Sequence, residues 1–392
     1  MNPLAARTEP RLTIVLPLRG RHMFTLRFLW HANQARLPYR ILIADGQVDE
    51  AVGRCIENSR QNFPNLDVEY MRYPDDTGYR RYFAKMADAM QRVRTPYAML
   101  ADNDDFLGVS GIEQALDFLE ANPDYIAALG QPVGFSSYSG FGAPGGGVHG
   151  RLNRLRTYPP KDGSARSVAD RLRQGGLSLL IYYSVYRTEA LATLWREDSE
   201  IDFSDLMLHE TYHAMRTLTL GRVCTNKATI TYFSQIGTST SSDPMRDWAS
   251  RLLRSHFTAD VHDMVKRVST AAAAAGADEA GAAEDVRGLI ENYFRGFLWD
   301  NYGLLMQVKR FIRRHWPALV TFVQTRRRRF LVWRERKTVF AKLAAAGASA
   351  DDIARTRRDL DAVESALSHQ AFLQFATPFL SVARADGSRD WF

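Results

Sequence analysis

The chain has 392 residues, 45% hydrophobic and 24% charged. That is enough for two or three domains with real cores, and it excludes a disordered chain, a collagen repeat and a small disulfide scaffold. Cys55 and Cys224 alone cannot frame a disulfide network or a four-cysteine zinc site and fit a reducing compartment, while the net charge of +7 suits an acidic partner such as nucleotide phosphates, anionic lipid or nucleic acid.

No apolar run reaches the ~20 residues that span a bilayer. The N-terminal apolar stretch is short, meets Pro17 and has no small-residue cleavage site behind it, unlike a signal peptide. These features predict a cytoplasmic protein, or one peripheral to the inner membrane.

The first hundred residues alternate strand and helix. Residues 12–16 (LTIVL) predict a buried strand ending at Pro17, 23–34 a helix, 40–44 (RILIA) a second strand ending at Asp45-Gly46, and 52–62 a helix. Residues 67–73 predict a third strand, 79–93 a helix, and 97–101 (YAMLA) a fourth strand running into Asp102-Asn103-Asp104-Asp105. This order predicts an α/β fold with a mostly parallel sheet and helices on both faces, whose ligands gather at the carboxyl ends of the strands. Residues 134–150 predict a glycine-rich loop without the strand–helix context or Gly-Lys-Ser/Thr of a phosphate loop. Beyond it come a basic helix at 165–174, a strand at 177–186, helices at about 188–196 and 206–220 (the second stopped by Gly221), and a last strand at 228–233.

From about residue 246 onward the chain is helix-compatible, which divides it into an α/β domain at 1–245 and a basic α-helical domain at 246–392. Residues 309–337 carry eleven Lys/Arg interleaved with aromatic and aliphatic residues, broken by Pro317. Such a stretch is either the solvated face of a helical bundle or a segment lying on an anionic membrane surface. No nucleic-acid motif accompanies it, and no nucleic acid is expected.

The chemistry concentrates at Asp102-Asn103-Asp104-Asp105. Carboxylates at i and i+2 on a strand end repel one another unless a cation lies between them, and Mg²⁺ or Mn²⁺ commonly binds one or two carboxylates plus substrate phosphates. Placed so, the cation neutralises a departing pyrophosphate.

IVLPLRGR, ILIADGQVDE and YAMLADNDDF, in that order, resemble the signature of the GT-A fold glycosyltransferases of the family 2 type: a first strand ending in Pro, a second ending in Asp, and a D-x-D-D after a later strand. The likeness covers residues 1–245, roughly 60% of the chain, and implies a Rossmann-like, mostly parallel sheet. The family's second motif resembles D-D-G-S-x-D; here Ala44 and Gln47 replace its first acid and its serine, which marks a divergent bacterial branch. By this resemblance Asp45, Asp102 and Asn103 bind the nucleotide sugar with Pro17 and Arg19 bordering the pocket, Asp104 ligates the metal, and Asp105 orients the loop. Lys85, with Arg80 and Arg81 as rivals, would meet the diphosphate as a positive charge.

The family's E-D-Y-E-L-x-L-R-x-x-x-x-G pattern resembles His209-Glu210-Thr211-Tyr212-His213-Ala214-Met215-Arg216 with Gly221 beyond, and puts Glu210 on the catalytic aspartate, the base that deprotonates the acceptor hydroxyl. Asp202 and Asp205 are reserve bases. Ser-rich 237–242 would close over the diphosphate, and His256 could join the metal. His209–His213 also spells the H-E-x-x-H of zinc peptidases, but no downstream motif supplies a third ligand.

The expectation is a metal-dependent, inverting glycosyltransferase that uses a nucleoside-diphosphate sugar and Mn²⁺ or Mg²⁺. Its acceptor would be a glycan, lipid-linked or protein acceptor of bacterial surface polysaccharide or glycoconjugate synthesis. A nucleotidyltransferase would need a G-x-G-x-R turn after the first strand, which Pro17-Leu18-Arg19-Gly20-Arg21 lacks. The alternative from another class is a non-catalytic protein with a degenerate GT-A domain that binds membrane or polysaccharide.

Overall fold

The computed structural model describes residues 10–46, 50–138, 148–158, 160–176, 179–236, 255–302, 308, 311–312, 315–368 and 370–383. Four strands of the first hundred residues form the heart of the molecule: β1 (Leu12–Leu18), β2 (Arg40–Asp45), β3 (Asp67–Arg72) and β4 (Tyr97–Leu100). Their crossovers are α1 (His22–Gln34), then α2 (Glu50–Glu57) with the short α3 (Ser59–Asn62), then α4 (Tyr79–Met90). The single helix predicted over 52–62 is thus two, parted at Asn58, whose amide donates back to the Arg54 carbonyl.

β1 pairs in parallel with β2 on one side and with β4 on the other. The chain therefore builds outward from β1 through β2 to β3, then crosses back to lay β4 on the opposite flank. The strand order reverses at β1, and a crevice opens beyond the carboxyl ends of β1 and β4. Both faces of β1 are covered, so its apolar run is continuous, and its side chains still alternate: Val15 enters one core, while Ile14, Leu16 and Leu18 enter the other.

The later elements are β5 (Phe106–Leu107), α5 (Val109–Ala121), β6 (Tyr125–Gly130), β7 (Val133–Tyr138), β8 (Arg151–Thr157), α6 (Val168–Gly175), β9 (Val185–Arg187), α7 (Thr188–Ser199), α8 (Leu206–Leu220), β10 (Arg222–Asn226) and β11 (Tyr232–Gln235). The larger sheet runs β10-β6-β9-β4-β1-β2-β3, and β5-β11-β7-β8 form a smaller one. The larger sheet is mixed. β9 lies antiparallel between β4 and β6, so a three-residue strand joins two parallel blocks.

Three local expectations are corrected. The stretch expected as a strand at 177–186 holds a 3₁₀ helix, Leu179–Tyr183, with only Val185 and Tyr186 in β9. Of the stretch expected as a loop at 134–150, residues up to Tyr138 are strand, β7 pairing with β8, and 139–147 lie outside the described residues. The strand expected at 228–233 starts at Tyr232, and β10 precedes it. Gly221 does end α8, but its backbone is extended; a side chain there would strike Ile126 on β6.

The C-terminal helices are α9 (Ser255–Ala274), α10 (Glu279–Tyr302), α11 (Pro317–Ala345), α12 (Ala350–Ser368) and α13 (Gln370–Ala383). They share cores with the α/β part. Met264, Val268 and Val286 of α9 and α10 join the cluster beneath α8. Leu343, Leu360 and Val363 of α11 and α12 pack with Phe135 and Leu155 of the small sheet. Phe372 of α13 is fully buried, its ring 5.7 Å from that of Trp30 on α1.

Because α13 is part of the core that covers β1, Phe372→Ala should destabilise the α/β part as well as the helices, by about 3–5 kcal/mol. Urea unfolding followed by tryptophan fluorescence is expected to show one cooperative transition at a lower midpoint. A separate early transition that leaves the remainder at its original midpoint would contradict this packing.

Candidate active site

The crevice at the strand-order reversal is a cleft of about 500 Å³. The end of β1 supplies Pro17, Leu18, Arg19 and Arg21, and the turn after β4 supplies Asp102, Asn103, Asp104 and Asp105. Tyr79 and Tyr82 come from the first turn of α4, Tyr182 and Tyr183 from the 3₁₀ helix, Leu206 and Glu210 from α8, and Ser234 and Gln235 from β11.

The acidic turn is held from several sides. Tyr183 donates its hydroxyl to Asp102 Oδ2 at 2.6 Å, Arg21 its guanidinium to Asp104 Oδ2 at 2.7 Å, and Gln235 its backbone N–H to Asp105 Oδ1 at 2.9 Å. Asn103 turns inward and donates to Thr25 Oγ1 at 3.0 Å, tying the turn to α1. Beneath it the fully buried Arg27 donates to the backbone carbonyls of Asp104 and Val148, each at 2.7 Å, with its guanidinium close to the rings of Phe24 and Phe106. Burial draws the Arg27 pKa down to about 9 against the opposing pull of Asp104 and Asp105. Burial first, and then Asp104, raises the carboxyl of Asp102 to about 6; the same two causes raise that of Asp105 well above the usual carboxylate range.

Glu210 sits one turn above Leu206 on the part of α8 that faces the cleft. Burial, then the charges of Asp102 and Asp205, raise its carboxyl from the usual 4.5 to about 8. Asp205 itself is the N-cap of α8, accepting from the Met207 backbone N–H at 2.9 Å. Burial also raises the hydroxyl pKa values of Tyr82, Tyr182 and Tyr183 well above the ordinary value. These groups face the cleft as neutral phenols.

Pro17, Arg19, Asp102, Asn103, Asp104, Asp105 and Glu210 are therefore brought together as the sequence predicts. Asp45 and Lys85 are not in the lining. Asp45 ends β2 buried and accepts from Tyr70 Oη at 2.5 Å. Lys85 is buried and donates to Asp76 Oδ2 at 2.6 Å and to the Leu18 carbonyl at 3.2 Å; a Cβ on Gly46 would run into that Asp76 carboxylate. With the Lys85 ammonium so engaged, and with Arg80 and Arg81 exposed outside the lining, Arg19 and Arg21 are the cations that line the cleft among the described residues. Asp202 and His256 are also exposed outside it, and 237–242 lies outside the described residues.

The H-E-x-x-H spelling does not assemble a zinc site. His209 stacks on Phe83 with ring centroids 4.0 Å apart, and burial lowers its pKa to about 4. His213 Nδ1 lies 2.7 Å from Asp198 Oδ2, both side chains fully buried. Among the described residues no group of three or more His, Cys, Asp or Glu is arranged to hold a metal. The oxygen-only donors of the acidic turn suit Mg²⁺ or Mn²⁺. Because each carboxylate already accepts from a protein donor, the turn fits a cation arriving with phosphate ligands of its own, not one held by the protein alone.

Arg21, Arg27 and the tyrosines were not singled out by sequence reasoning. Among 44 arginines one more carries little signal, and Tyr182-Tyr183 lay inside a run that read as strand.

No protein-family model matches the chain, and no curated protein matches it. Among the solved structures that show distant likeness are two in complex with a nucleotide sugar. S. aureus TarS 1-349 in complex with UDP-GlcNAc is 14% identical over 92% of this chain and 93% of its own, with a TM-score of 0.48. The mannosyltransferase PcManGT from Pyrobaculum calidifontis, in complex with GDP-Man and Mn²⁺, is 13% identical over 86% of each chain, with a TM-score of 0.40. At that distance neither decides the fold or the chemistry of this chain.

The raised Glu210 carboxyl has a sign that thermal melting can read. Between pH 4.5 and about 8 the folded protein holds a proton that the unfolded chain has released. The stability this group supports is present at low pH and declines as pH climbs to about 8. Glu210→Gln removes that decline, so its melting temperature relative to the parent should be higher at pH 8.5 than at pH 5. A difference independent of pH would show that the carboxyl is not held protonated.

Proposed function

We propose that the protein is a glycosyltransferase of the GT-A kind, moving a sugar from a nucleoside-diphosphate sugar to a hydroxyl of a glycan, lipid-linked or protein acceptor in bacterial surface glycoconjugate synthesis. The observation that carries this reading is that one cleft at the strand-order reversal joins the acidic turn and two arginines to the half-buried Glu210 carboxyl, whose pKa is raised to about 8. Fold-level likeness does not enter it.

In this reading Pro17 and Asp102 border the nucleoside, and Arg19 and Arg21 face the diphosphate. Asp104 would hold a divalent cation, which when bound neutralises charge on the leaving diphosphate. Glu210 serves as general base. The acceptor oxygen forms its bond to the anomeric carbon as the bond to the diphosphate oxygen breaks. The electron pair leaves on the phosphate, the hydroxyl proton passes to Glu210, and the anomeric centre inverts. A carboxylate with its pKa near the working pH is a far better base than one at 4.5, and burial supplies that rise. Asp45 and Lys85 receive no part in it.

No helix among the described residues is long and apolar enough to cross a membrane. The exposed Phe311, Trp316 and Trp333, all within the basic stretch 309–337, support a peripheral position on an anionic membrane surface.

With Glu210 as base, kcat/KM should rise with pH through an inflection near 8 and be lost below it. Glu210→Gln should lower kcat by about 10²–10⁴-fold, the usual worth of a positioned base, while leaving nucleotide affinity unchanged. Steady-state kinetics with calorimetric binding decide it. A Gln variant that keeps its turnover would remove Glu210 from the mechanism.

A further inference from the structure

Arg21 occupies an unusual position for so large a side chain. It is the N-cap of α1, with left-handed φ of 55° and ψ of 43°, directly after Gly20 at φ 63°. Left-handed backbone is disfavoured for a residue with a Cβ, and such conformations gather where a side chain must be aimed at a site. Here the aim is at Asp104: the guanidinium donates to Oδ2 at 2.7 Å and passes over the Phe24 ring at 4.7 Å. The Arg21 side chain is 23% exposed and that of Asp104 only 6%, so the carboxylate is shut in while its arginine still borders the open cleft.

A buried carboxylate flanked by Asp102 and Asp105 needs a positive partner. Arg21 supplies one here, on the carboxylate that would hold a divalent cation. The guanidinium has five N–H donors in a planar fork and suits phosphate as well as carboxylate. A diphosphate entering beside Arg19 and Arg21 brings negative charge that competes with Asp104 for Arg21.

We propose that Arg21 guards the Asp104 carboxylate in the donor-free protein and turns to the diphosphate when the donor binds, so that Asp104 becomes open to a divalent cation only together with the nucleotide. This rests on the functional reading above and adds an order of assembly to it. The free protein does not collect metal on its acidic turn, and nucleotide and cation strengthen each other's binding.

The test uses the full chain and Mn²⁺ alone as first probe, with free Mn²⁺ followed by electron paramagnetic resonance. Donor-free parent protein should bind Mn²⁺ weakly, and UDP or GDP should strengthen that binding about tenfold or more, the worth of one charge-assisted contact. Arg21→Asn is the informative variant, because Asn tolerates left-handed backbone; near-ultraviolet circular dichroism checks its fold. It should bind Mn²⁺ without nucleotide about tenfold more tightly than the parent and bind the nucleoside diphosphate in metal-free buffer about tenfold more weakly. Adding Asp104→Asn should abolish the gain in Mn²⁺ affinity, and Arg21→Lys, which keeps the charge, should recover part of the guard. An Arg21→Asn protein with parental affinity for both probes overturns the proposal alone. A parent protein that binds no nucleoside diphosphate overturns the functional reading, and the proposal with it.

Discussion

Three carboxylates within four residues, packed at the end of a buried strand, set the terms for everything around them. Asp102, half-buried at the cleft, crowds the buried Asp104 and Asp105, and the cost of burying such carboxylates unpaired would exceed the margin by which a domain is stable. The fold meets this from below with Arg27, which binds the backbone of the turn, and from the cleft with Arg21, which binds its central side chain. Tyr183 and the Gln235 amide take the two flanking carboxylates. These partners come from three parts of the chain, so the acidic turn acts as the point where α1 with its N-cap, the 3₁₀ helix and the small sheet are fixed relative to one another.

The same constraint explains where the cleft lies. A parallel sheet that builds outward from β1 and then returns to place β4 on its other side leaves space beyond those two strands and nowhere else along that block. The ends of β1 and β4 border this space directly, while Asp45 on β2 lies one strand further out and is taken up by Tyr70. Lys85 illustrates how burial redirects a charge. Its ammonium braces the Leu18 carbonyl and Asp76 under the strand ends and so supports the cleft without entering it.

Much of this was legible in the chain. The apolar runs of β1, β2 and β4 announced themselves because strands covered on both faces need no polar alternation, and the endings of β1 at Pro17 and β4 at Asp102 located the cleft, while that of β2 at Asp45 did not. Other parts were hidden for physical reasons. β8, RLNRLRT, carries a register shift opposite Ser136 and Ser137, so its inward leucines stand three residues apart and the two-residue period disappears. β9 is too short to show any period. The 3₁₀ helix at Leu179–Tyr183 is all apolar or aromatic and cannot be told from strand by pattern. Lys85 drew attention because lysine is scarce here, whereas Arg21 and Arg27 were lost among the many arginines, and only tertiary structure shows that these two meet the acidic turn.

The central claim is that this cleft holds a nucleoside-diphosphate sugar against the acidic turn. The most direct measurement is a thermal-shift panel of UDP-, GDP-, dTDP- and CMP-sugars with and without Mn²⁺ or Mg²⁺, on the parent and on Asp104→Asn. A ligand that binds only the native state raises the melting temperature by mass action. A metal-dependent rise with one nucleotide class, lost in Asp104→Asn, is the predicted result. A folded parent protein that no nucleotide sugar stabilises, with or without metal, would contradict the account.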